Sequence, residues 1–252
     1  MNRAAPEQEA ESSLMDHLLE LRTRLVRGLM GVGVVLLVLL PFVKQLYDRL
    51  AMPMISQLPA GQAAQMIAND PTSGFFAPIK LAFFTALFLS SPWLLYQAWS
   101  FVAPGLYRHE KRLAVPLLVS SILLFYAGCA FAYFLVLPGV FHALTTFTPD
   151  IVTIAPDPAK YLDFVMVIFL AFGVSFELPV ALVIMVLLGW VTPQQLREAR
   201  GYAVVGVFVV AALITPPDVV SQLMLAIPMC LLYELGIIAA GWMKPRPRPE
   251  SG

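Results

Sequence analysis

The chain has 252 residues, of which 59% are hydrophobic and 13% charged, and a mean hydropathy of +0.79. That is more apolar surface than one water-soluble core of this length absorbs, so lipid must solvate much of it, and a soluble enzyme is excluded. The 16 basic and 16 acidic residues cancel to zero net charge, which removes the global basic field that draws proteins to nucleic acid.

Acidic Glu7, Glu9, Glu11, Asp16 and Glu20 precede the first apolar stretch, and no A-x-A site follows it. This is not the form of a cleavable signal peptide, so the first span is expected to be retained. Within residues 12–25, Leu14, Leu18, Leu21 and Leu25 recur at helical spacing, which predicts an amphipathic helix lying at the membrane surface. Ser13 with Asp16 three residues on resembles a helix N-cap, and Glu20 can pair with Arg24 one turn later.

Crossing roughly 30 Å of hydrocarbon takes about 20 mostly apolar residues. Six stretches qualify as candidates: 28–43, 81–99, 113–138, 163–197, 201–214 and 219–242. The fourth is interrupted by Glu177 and Pro179, and the last two are separated only by Thr215, Pro216, Pro217 and Asp218. Proline cannot continue a helix, so the fifth and sixth segments are expected to form a hairpin of short helices. Residues 201–214 would reach only about 21 Å, which predicts a locally thinned membrane or a segment that does not fully cross it.

With a cytoplasmic N-terminus, the cytoplasmic loops and tails hold 12 of the 16 basic residues, and Lys44, Arg49, Lys80 and Lys160 fall outside. Positive charge accumulates on the cytoplasmic side, so both termini are expected there. The expected fold is an all-α integral membrane protein of six kinked transmembrane helices in a concave bundle. It forms one membrane domain over 1–252: a cytoplasmic amphipathic N-terminus (1–25), the six-helix bundle (26–242) and a cytoplasmic tail (243–252). Kinks are expected at Pro41, Pro92, Pro116, Pro179 and Pro228. Trp93, Trp99, Trp190 and Trp242 sit near span ends, where indoles anchor at the interface. The outer loops, roughly 46–78 and 139–160, read as structured caps.

Cys129 and Cys230 stand far apart in apolar segments, with no C-x-x-C pair, and read as small core hydrophobes. His17, His109 and His142 are scattered, so no metal, cofactor or catalytic centre is expected. The polar residues that stand out lie elsewhere. The loop Phe101-Val-Ala-Pro-Gly-Leu-Tyr-Arg-His-Glu110-Lys-Arg112 holds a single acid among basic groups. Glu110 either neutralises a neighbouring Arg108, Lys111 or Arg112 through a weak exposed pair, or joins Glu20 on the same face to receive two guanidinium groups. Glu177 lies in mid-span, where an ionisable group costs at least about 2.5 kcal/mol on insertion scales. It is either a protonated acid bonded to a neighbouring helix or a functional polar spot. Asp218 and Gln222 either cap the helix after Pro217 or form a polar site at the outer end of the hairpin.

Four linked motifs carry a resemblance: His17-Leu-Leu-Glu-Leu-Arg-Thr-Arg24, Phe101-Val-Ala-Pro-Gly-Leu with Glu110-Lys-Arg, Phe172-Gly-Val-Ser-Phe-Glu177-Leu-Pro, and Thr215-Pro-Pro-Asp218 with Gln222. Together, over 14–242, they resemble the signatures of the TatC family, the multispanning subunit of the twin-arginine protein translocase of the bacterial inner membrane. The resemblance implies a receptor and core subunit that exports folded proteins, driven by the proton gradient. Glu20 and Glu110 would accept the paired arginines of a signal peptide, with Arg22, Phe101, Pro104, Leu106 and Tyr107 shaping the site. Glu177, Asp218 and Gln222 would meet the inserted peptide or a partner helix. Implied partners are single-span subunits of the TatA and TatB types, and further copies of the chain.

Two rival readings stay in view. A small-solute secondary transporter would also use an intramembrane Glu177, but no inverted repeat is evident. An intramembrane hydrolase would need Ser/His, paired-Asp or H-E-x-x-H groups within the spans, and none is visible.

Overall fold

The computed structural model describes residues 5–46, 73–102, 111–140, 142, 158–214 and 219–242, and their regular structure is entirely helical. Helix α1 spans Ala5–Leu39 and runs through a 3-10 turn, Leu40–Phe42, around Pro41. Ser13 therefore lies inside α1, not at its N-terminus as expected, because the helix begins eight residues earlier, at Ala5. The pairing of Glu20 with Arg24 is present, at 3.3 Å.

Helices α2 (Ser73–Leu89) and α3 (Ser91–Val102) meet at Ser90, with a bend of 52° between them. Pro92, at the second position of α3, needs no helical N–H partner there. Helix α4 (Lys111–Phe131) carries Pro116 without a break in the assigned helix and passes into a π-helical turn, Ala132–Val136. Helices α5 (Pro158–Phe176) and α6 (Leu178–Leu187) are parted by Glu177 but form one continuous candidate span, Ala159–Leu187. Two local features interrupt the ladder there. Pro179 has no N–H to give, and the Ser175 hydroxyl bonds back to the Ala171 carbonyl at 2.5 Å.

Gly189, at φ 73°, stops α6. Its N–H reaches Val186 O at 3.0 Å and that of Trp190 reaches Met185 O at 3.0 Å, the paired closure of a left-handed glycine cap. A short helix α7, Pro193–Glu198, follows, opened by Thr192. The Thr192 hydroxyl accepts from Gln195 N at 3.2 Å while Gln195 Oε1 accepts from Thr192 N at 2.9 Å. This reciprocal cap ends the fourth stretch before residue 197, where it was expected to close. Helices α8 (Arg200–Ile214) and α9 (Val219–Gly241) complete the described chain.

The molecule is thus a multi-span helical membrane bundle. Among the described residues, four helices are long and apolar enough to cross a bilayer, or five if the bent α2–α3 pair counts as one span. Helix α8, at 15 residues, is short, reaching about 22 Å. The expectation of a short sixth helix is corrected: α9 has 23 residues, because its apolar run continues past Pro228 without interruption.

Two buried clusters hold the bundle. The larger joins Leu81 of α2, Val136 of the π turn, Leu162, Ile168 and Phe172 of α5, Ala211 of α8 and Leu225 of α9. The smaller joins Leu182 and Val186 of α6, Leu196 of α7, and Tyr233 and Ile237 of α9. Many other large apolar side chains, such as Leu29, Val34 and Leu37 of α1 and Leu123 of α4, face outward, as lipid contact requires. Lipid gives no hydrophobic drive between helices, so close backbone approach matters. Gly236 of α9 supplies one such approach: a Cβ there would lie 2.6 Å from Leu182 Cδ1 and 3.0 Å from the Pro179 Cα.

Candidate functional site

Glu20 lies on α1, and α1 packs on α3 through two glycines. A Cβ on Gly28 would sit 3.1 Å from Leu94 Cδ2, and one on Gly31 would sit 2.4 Å from the Trp93 ring. As residue numbers fall along α1 they rise along α3, so the two helices are antiparallel. Eleven residues at about 100° each bring Glu20 back within about 20° of the direction of Gly31. Glu20 therefore shares the face of α1 that is turned to α3. It lies about 16 Å beyond Gly31, whereas α3 ends at Val102, about 13 Å beyond Trp93. Glu20 thereby lies close to the level of Val102, the last residue of α3.

Arg22 is exposed and Phe101, at the end of α3, is half-buried. The Glu20 carboxylate accepts from Arg24 Nη2 at 3.3 Å, with the side chains 35% and 26% exposed, open enough for an incoming guanidinium to compete. Pro104, Leu106, Tyr107 and Glu110 lie outside the described residues, as does Asp218.

The second polar locus is in mid-bundle. Trp99 Nε1 donates to the Ser121 hydroxyl at 3.3 Å, bridging α3 and α4, and Ser121 lies beside the Glu177 side chain at the α5–α6 break. Glu177 Oε1 is buried and without a partner among the described residues. The break that Pro179 imposes thus coincides with an acid that stands beside a hydroxyl and has one buried oxygen open to a donor. Trp99, expected at the interface, is instead turned inward and 6% exposed, whereas Trp93, Trp190 and Trp242 are 43%, 69% and 83% exposed. Neither Trp99 nor Ser121 was singled out from the sequence as part of this site. The available signal was a serine pair, Ser120-Ser121, inside a chargeless stretch, since hydroxyls in spans commonly bond across helices.

Gln222 does not face Glu177 through any described bond. Its Nε2 donates to Phe208 O at 3.2 Å, tying α9 to α8. The other end of that hairpin is held by Arg200 Nη2 on Glu234 Oε2 at 2.7 Å and by the buried Tyr233 hydroxyl on Leu196 O at 2.8 Å.

The sequence profile of the family described as "Sec-independent protein translocase protein (TatC)" matches residues 16–228. A protein of that description from Escherichia coli (strain K12) is 52% identical over 229 residues, covering 91% of this chain and 88% of the relative. One from Haemophilus influenzae is 48% identical over 233 residues, covering 92% and 90%. A crystal structure described as the twin arginine translocase receptor TatC superposes with a TM-score of 0.80 at 38% identity, covering 90% of this chain and 98% of that one.

Proposed function

The chain belongs to the TatC family of Sec-independent protein translocase proteins, and from that premise we propose that it is the membrane receptor for twin-arginine signal peptides and the core subunit of a translocase. It performs no covalent chemistry. In this reading the chain makes six spans in the cytoplasmic membrane with both termini in the cytoplasm, a topology supported by the 12 to 4 split of basic residues. The concave face of the bundle receives the apolar part of the signal peptide. TatA- and TatB-type single-span subunits and further copies of the chain assemble on it, and the proton gradient drives transport.

One observation carries the recognition step. The face of α1 seated on α3 by Gly28 and Gly31 also bears Glu20, close to the level of Val102, where α3 ends eight positions before Glu110 in the chain. Glu20 and Glu110 supply two carboxylates for two guanidiniums. Arginine offers a planar fork that a carboxylate binds in bidentate fashion, which lysine cannot reproduce. Charge-assisted hydrogen bonds contribute about 1.5–3 kcal/mol each, enough to separate Arg-Arg from Lys-Lys peptides. Arg22, Phe101, Pro104, Leu106 and Tyr107 shape the site. Glu177, with its open Oε1, together with Asp218 and Gln222, meets the inserted peptide or a partner helix.

A photo-crosslinker at residue 110 tests this. Capture of an Arg-Arg signal peptide in preference to the same peptide with Lys-Lys is the expected result, together with loss of peptide binding in Glu110→Ala. Equal capture of both peptides would misplace the recognition residues, and capture of neither would remove the receptor assignment.

A further inference from the structure

Trp93 makes a contact that neither interfacial anchoring nor burial explains. Its indole is 43% exposed, yet Nε1 donates to the backbone carbonyl of Arg27 at 3.0 Å. In a continuous helix that carbonyl already accepts from the residue four places on, Gly31. The same ring lies over Gly31 itself: a Cβ there would fall 2.4 Å from Trp93 Cδ1 and 2.6 Å from Nε1. Tyr96, one turn along α3, backs the indole with its ring centroid 5.8 Å away. The missing side chain at Gly31 thus makes a slot, and the hydrogen bond to Arg27 holds the ring in it. Sliding α1 along α3 by even one residue, about 1.5 Å, would break both contacts.

We propose that this seat of Trp93 in Gly31, latched to the Arg27 carbonyl, sets the register of α1 against α3 and so positions Glu20 for the arginine pair. The proposal rests on the receptor reading above, to which it adds two positioning residues. Glu20 stands three turns from the seat, on nearly the same face of a single helix, so a shift or rotation at Gly31 is carried rigidly to Glu20. The same contact therefore fixes where Glu20 stands relative to Val102, the last residue of α3.

The test uses the full chain in native membranes with its native cysteines replaced by alanine. Disulfide formation is mapped between Glu20→Cys and single cysteines placed in turn at positions 101 to 108. In parallel, with Glu20 intact, a signal peptide carrying a photo-crosslinker beside its arginines is captured. Gly31→Ala, which drives a methyl into the indole, is expected to move the disulfide maximum and to lower Arg-Arg over Lys-Lys selectivity about tenfold, the equivalent of one charge-assisted hydrogen bond. Gly31→Ala combined with Trp93→Val removes the collision and is expected to restore the wild-type maximum and most of the selectivity. An unmoved disulfide pattern in Gly31→Ala would overturn the proposal, as would a lower amount of folded protein with unchanged pattern and selectivity. A moved pattern in a protein that never preferred Arg-Arg would sink the receptor reading and leave the seat standing.

Discussion

Gly128 of α4 faces the Phe172 carbonyl of α5 so closely that a Cβ on Gly128 would lie 2.6 Å from that backbone oxygen and 3.0 Å from the ring of Phe176. The approach is reciprocated at Gly173, where a Cβ would meet the Phe125 ring at 2.8 Å. Backbone cannot swing aside as a flexible side chain can, so Gly128→Ala must push α4 away from α5. We expect a cost of about 1–3 kcal/mol, the usual range for overpacking, read as a lower thermal transition in detergent. Gly33→Ala is the control, because nothing lies within 4 Å of the added atom. Equal transitions for the two variants would show that α4 and α5 can separate freely.

The bond from Trp99 to Ser121, with Glu177 beside it, makes an ordered prediction. Trp99→Phe removes one donor and should cost about 0.5–1.5 kcal/mol. Ser121→Ala should cost at least as much, since it removes the acceptor of the Trp99 donor and the hydroxyl beside Glu177. Glu177→Gln, which keeps a polar group beside Ser121, should retain more export than Glu177→Ala. Thermal transitions and an export assay read the two series, and an inverted order in either would separate Ser121 from the acid.

Lys80 of α2 and Asp163 of α5 form an ion pair at 2.6 Å with side chains 48% and 49% exposed. Exposed pairs are worth little, so a double-mutant cycle on Lys80→Gln and Asp163→Asn should return a coupling of about 1 kcal/mol or less. A coupling of several kcal/mol would place the pair in the low-dielectric part of the membrane.

Helix α8 has 15 residues and falls several ångströms short of a bilayer core of about 30 Å. If the membrane thins around it, inserting four leucines between Val209 and Val210 relieves the mismatch and should impair export while the protein still inserts. Export at the wild-type level from that variant would argue against thinning.

The local features were legible because each depends on residues close in the chain. A span needs an unbroken apolar run, and all six candidate runs contain described helix. Pro41, Pro92 and Pro179 sit at helix interruptions because a missing N–H acts on its own turn, and Glu20 meets Arg24 because four residues make a turn. The cap at Thr192 was equally local, since Thr192 and Gln195 carry its signature, and it was overlooked within a longer apolar stretch. Pro116 and Pro228 did not interrupt their helices, so proline alone was an incomplete guide.

What the amino-acid order could not reveal was the rotation of each helix about its own axis. In a soluble protein the apolar stripe points to the core, but a helix such as α6 is apolar on every side, and lipid accepts any face. Which side turns inward is settled by the fit of small residues against distant backbone or rings, as at Gly128 against the Phe172 carbonyl and Gly31 against the Trp93 indole. That fit turned Trp99 away from the interface. It also brought Ser121 to Glu177, 56 positions further along the chain (177 − 121).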